Sequence, residues 1–137
     1  MGKRRNVPLG VALKEARAKI EGASSDAAKA DALCDAADAC ALAFGRGEAA
    51  ASYYLRAMRL VPSSTALVER ACKGLEHRPR TLESLLWRRL GSDPADPEHA
   101  PRREATIAAL RGLVTVYAQR PRHAVRARAL ENLLRLL

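Results

Sequence analysis

The side chains able to carry chemistry in this chain are three cysteines, Cys34, Cys40 and Cys72, three histidines, His77, His99 and His123, and two clusters of like charge. Cys34 and Cys40 are six residues apart, which puts them on different sides of a helix, whereas structural zinc sites use tighter cysteine pairs. Small buried side chains are the better reading of both. An odd number of cysteines with no close pairing and no signal peptide predicts reduced, cytoplasmic thiols rather than a disulfide framework. Each histidine adjoins a loop or proline signal and stands in no motif with a nucleophile or carboxylate. They predict surface histidines, not an acid–base pair. The glycine-rich GRGE at 45–48 lacks the lysine and the preceding strand of a phosphate-binding loop, and a turn accounts for it. These residues therefore predict a protein without enzymatic activity, metal or cofactor.

The charged clusters point to binding. Asp31, Asp35 and Asp38 are spaced four and three apart, so they form one acidic strip along a helix, and Leu42 continues the same face. Arg120, Arg122, Arg126 and Arg128 bracket Pro121 at the start of the last helix, where the macrodipole is already positive, and such a basic patch calls for an anion. Acidic residues such as Glu98 or Glu104 are internal candidates for it. The net charge of +9 is uneven: +4 over residues 1–30, −1 over 31–62, 0 over 63–100 and +6 over 101–137. Basic ends of this kind attract acidic protein, nucleic acid or anionic lipid, or are simply solvated.

The elements that must position these groups are helices. The composition is rich in Ala, Leu and Arg with only 4% aromatics, which favours helix over strand. A length of 137 residues suits one domain, here residues 8–137, preceded by a basic flexible arm over 1–7. No apolar run approaches the length that spans a bilayer. Pro8 predicts a first helix to about Glu21, with Leu9, Leu13, Ala16 and Ile20 as a stripe lying on the core, or else on a membrane surface or a partner. Ser24, Ser25 and Asp26 signal a second helix to about Phe44, and Ser63 or Ser64 a fourth over 65–76 with Leu67, Val68, Ala71 and Leu75 inward. Pro79 opens a fifth, ending at Gly91. After the proline-rich loop 91–101, a sixth helix uses Ile107, Leu110, Val114 and Tyr117. The last, from Pro121, places Val125, Leu130, Leu133, Leu134 and Leu137 inward.

The third helix organises the rest. In GRGEAAASYYLRAMRLVP, residues 45–62, the small Ala50 and Ala57 flank Tyr54 on one face, glycines precede the helix, and Pro62 closes it. This pattern resembles the second helix of a tetratricopeptide (TPR) repeat. The first-helix signature of such a repeat falls on Cys34, Ala37, Asp38 and Ala41, of which Ala37 and Ala41 have the expected small size. One period later, Ser84 and Gly91 take the small positions and Arg88 the aromatic one, with Trp87, one residue away, expected to do that packing instead. The resemblance implies an all-α fold of about seven helices, with antiparallel hairpins stacked as a short right-handed array. It also implies a concave face, lined by helices 26–44, 65–76 and 101–119, that binds a peptide or helix of a partner protein. Asp35, Ala39 and Leu42 depart from the basic residues that TPR carboxylate clamps use. A groove carrying Asp31, Asp35, Asp38 and Leu42 implies a basic or apolar ligand instead. The alternative is a basic helical nucleic-acid-binding protein, although the chain lacks interleaved aromatics and any base-reading motif.

Overall fold

A computed structural model describes residues 8–43, 45–92 and 100–137. The expected arm over 1–7, Phe44, Glu98 and His99 lie outside those residues. Seven α-helices follow in order: α1 (Leu9–Gly22), α2 (Asp26–Leu42), α3 (Gly47–Leu60), α4 (Thr65–Gly74), α5 (Pro79–Ser92), α6 (Ala100–Ala118) and α7 (Ala124–Leu136), with one 3₁₀ turn, Pro121–His123, before α7. No strand occurs among the described residues.

The helix starts follow local chemistry. Ser25 has an extended backbone, and its hydroxyl accepts from the Ala28 N–H at 3.1 Å, which satisfies one orphan donor of α2. Ser64 does the same for Leu67 at 3.3 Å at the head of α4. Between α2 and α3 the chain reverses through Gly45 at φ +75°, a left-handed conformation that other residues rarely adopt. The orphan carbonyls at the end of α2 receive a long-range donor: Arg78 Nη2 reaches Ala43 O at 2.9 Å and Ala41 O at 3.3 Å. Gly47 leaves room for it, since a β-carbon there would stand 3.0 Å from Arg78 Nη1.

Helix α2 is the centre of the first half. Its Ala30, Ala32, Leu33, Cys34, Ala36, Ala37 and Cys40 are buried, because α1 covers one side and α3 and α4 the others. Helix α1 lies on the core, with Ala16 buried and Leu9, Leu13 and Ile20 packed against the cluster. The face of α3 is the expected one, with Ala50, Tyr54 and Ala57 each fully buried. Helices α4 and α5, consecutive in the chain, hardly touch one another. Each instead bridges the halves, α4 packing on α2, α3 and α6, and α5 on α3 and α6.

Three packing expectations change. In α6 the buried face is Ala105, Ala109, Leu110, Leu113, Val116 and Tyr117, while Ile107 and Val114 are half-buried, because α4 and α5 both press on it from one side. In α7 the inward residues are Ala127 and Leu130, with Leu134 beside them. Val125 (81% exposed), Leu133 and Leu137 face outward. Among the described residues α7 leans on α6 and the short 3₁₀ turn, so it buries only one narrow stripe, and 127, 130 and 134 form it. Trp87 does not fill a core position: it is 45% exposed, while Leu85, Leu86 and Arg89 around it are buried, Arg89 donating to Pro62 O at 2.8 Å.

Candidate functional site

A hollow lies where α4 and α6 meet beside the start of α5. Along α4, Thr65, Val68, Glu69, Cys72 and Lys73 recur at three- and four-residue steps, with Glu76 in the turn after it. Along α6, Ala108, Arg111, Gly112, Thr115 and Val116 do the same, with Gln119 just past its end. Two matched helical stripes, each about three turns long, thus line a cleft of about 480 Å³, with Pro79 and Leu82 of α5 at one side. At its floor the helices meet closely through a small residue of α6. Gly112 lets Cys72 come so close that a β-carbon would stand 2.9 Å from its Sγ and 3.0 Å from Leu86 Cδ1. The floor is apolar (Val68, Cys72, Leu82, Val116), and the rim carries both signs of charge, Glu69 and Lys73 on α4, Glu76 in the turn after it, and Arg111 on α6. Burial, reinforced by the charge of Glu69, pushes the Cys72 thiol up to about 11, so it stays neutral at physiological pH.

The acidic strip sits next to this cleft, and the fold brings a cation to it. Arg70 of α4 reaches across to α2, with Nη1 at 2.9 Å from Asp31, Nη2 at 2.8 Å from both Asp35 and Asp38, and Nε at 3.2 Å from Asp38. Lys19 of α1 adds a 3.3 Å contact to Asp35. Burial opposes the charge on Arg70, but its bonds to Asp38 and Asp35 outweigh that and hold its pKa above the ordinary value. The hydroxyl of Tyr54 donates to the remaining oxygen of Asp38. Burial first, then this bond, raises the Tyr54 pKa. Arg70 thus occupies the place that a basic ligand group would take beside Asp31, Asp35 and Asp38. Leu42, at the far end of the strip, is 78% exposed. Nothing near the three aspartates in sequence marks Arg70, 32 residues beyond Asp38, as their partner.

The four arginines around Pro121 divide. Arg120 and Arg128 line one shallow hollow of about 360 Å³ together with Glu131. Arg126 lies over the Tyr117 ring, 5.8 Å from its centroid, and Arg122 is exposed. None of the four forms an ion pair among the described residues, and neither Glu104 nor any other described carboxylate pairs with them. Tyr117 itself is a junction that sequence reading took only for part of a stripe. Its hydroxyl donates to Glu83 at 2.6 Å and accepts from Trp87 Nε1 at 2.9 Å, and the His123 ring packs beside it at 5.4 Å. The four-residue spacing of Glu83 and Trp87 on α5 was the available signal for this clasp. Burial and the Glu83 bond raise the Tyr117 pKa.

The remaining chemistry-bearing residues are structural in their surroundings. Cys34 and Cys40 are buried among alanines, and burial pushes the Cys34 thiol up to about 11, with Arg70 opposing. His77 is exposed, 3.6 Å from Glu76. Among the described residues no group of His, Cys, Asp and Glu is placed to hold a metal ion, and no helix is long and apolar enough to cross a membrane. Comparison of the chain with family models, curated proteins and solved structures finds no match.

Proposed function

We propose that this chain is a non-enzymatic, TPR-like cytoplasmic adaptor that holds a peptide segment of a partner protein, bound as a helix, in the cleft between α4 and α6. The observation that carries this reading is the pair of matched stripes. Two helices presenting residues at three- and four-residue steps along a three-turn hollow are complementary to a third helix with the same periodicity. The apolar floor takes the ligand's anchor side chains, and the rim of Glu69, Lys73, Glu76 and Arg111 fixes its direction. Because Arg70 already neutralises much of the acidic strip, binding rests on shape and apolar burial more than on charge. Selecting a library of helix-forming peptides on the intact chain tests the reading. The expected winners carry apolar residues at helical spacing, shield Cys72 from alkylation, and lose affinity when Thr115→Trp fills the cleft. Winners indifferent to Thr115→Trp would remove it.

A second reading, nucleic-acid binding, draws on the exposed arginines at 122, 126 and 128. Titration with labelled oligonucleotides checks it, since each phosphate contact adds about 0.9 to the log–log salt slope.

A further inference from the structure

The outer face of α7 is a second surface, independent of the cleft. With 100° per residue, Val125, Ala129, Leu133 and Leu136 fall on one stripe, with Leu137 at its margin. All are exposed, Val125 by 81% and Leu136 by 83%. Helix α7 packs only on α6 and the 3₁₀ turn, through the opposite side carrying Ala127 and Leu130, so nothing among the described residues covers this stripe. Its borders are basic. Arg128 and Arg135 run along one edge, with Asn132 between them and the stripe, and Arg126 marks the other, its guanidinium over the Tyr117 ring, while the helix's one acidic residue, Glu131, lies on the far side of the polar edge, toward the buried face.

We propose that this face of α7 docks on an anionic lipid surface, lying in the plane of the headgroups. An apolar stripe of valine and leucine between two arginine edges is the arrangement an interfacial helix needs. The aliphatic groups enter the acyl boundary, and the guanidinium groups remain at the phosphate level on both sides. Charge separates this occupant from a second copy of the chain. Two α7 stripes facing each other, parallel or antiparallel, would bring arginine edges against arginine edges. It also separates it from nucleic acid, for which the arginines suffice and the exposed leucines contribute nothing.

The test is co-sedimentation of the full chain with vesicles of equal parts phosphatidylcholine and phosphatidylglycerol, against vesicles of phosphatidylcholine alone. The chain should pellet with the first and stay in solution with the second. Val125→Glu with Leu136→Glu should weaken partitioning more than about tenfold, and Arg128→Gln with Arg135→Gln by about fivefold for each arginine. Both pairs are exposed, so the thermal melt should not move. Absence of pelleting with the anionic vesicles, or pelleting unchanged by Val125→Glu with Leu136→Glu, would overturn the proposal. Two further outcomes would also overturn it. One is a dimer that this pair converts to monomer without any lipid binding, and the other is oligonucleotide binding indifferent to the pair in a chain that ignores vesicles.

Discussion

The hydroxyl of Tyr54 passes beneath Gly74 on its way to Asp38, so closely that a β-carbon at 74 would stand 2.8 Å from the ring's Cζ. One glycine thus lets a tyrosine on α3 join α2 to α4. Gly74→Ala should destabilise the fold by about 1–3 kcal/mol, because neither the helix end nor the ring can yield without losing the Asp38 bond. Tyr54→Ala should cost about 3–5 kcal/mol. In urea unfolding, Gly74→Ala combined with Tyr54→Phe should lose less than the two single changes added together. Strict additivity would mean that the contact is not shared.

Arg70 is the one described side chain that gathers Asp31, Asp35 and Asp38, and Arg70→Ala leaves three carboxylates facing one another with only Lys19 near. The pairs are partly exposed, so a loss on the order of 1–2 kcal/mol is expected, smaller at high salt. A salt-independent loss in urea titrations would assign the effect to lost packing instead.

The buried thiols set an alkaline limit. Cys34 and Cys72 keep their protons to about 11 in the folded chain, against an ordinary value of 9.0. Between those values the unfolded chain has released protons that the folded chain retains, so stability falls as pH rises from 9 to 11. Replacing both by alanine should flatten that part of the curve of unfolding midpoint against pH.

For α7, Leu130→Ala should cost about 2–4 kcal/mol, since Leu130 is 9% exposed against α6, whereas Val125→Ala should shift the midpoint by less than about 0.5 kcal/mol. Equal effects would show that the inward stripe is the other one.

The helices were legible because their signals are local. Ser25, Ser64, Pro79 and the Ala50, Tyr54, Ala57 face act within a few residues, and each did what its type dictates. What was not legible depends on which helices become neighbours. Helix α7 has apolar residues over much of its circumference, so periodicity alone offered two stripes, and only the position of α6 chose between them. The acidic strip was readable as a strip, but its neutralisation by Arg70 depends on α4 crossing α2. The close floor of the cleft likewise depends on Gly112, whose meaning rests on Cys72 lying opposite it.

The loose relation between α4 and α5 gives the molecule a mechanical character. The half built on α1 to α3 and the half built on α6 and α7 are joined by two struts that do not brace each other. One strut, α5, is pinned to α6 by the Glu83, Tyr117 and Trp87 hydrogen bonds. The other borders the cleft. A body wedged between α4 and α6 should therefore be accommodated by a swing of the α6–α7 arm about the Tyr117 pin. Trp87, the chain's single tryptophan, sits half-exposed on that pivot. Its emission is a built-in gauge of the swing, readable without any label.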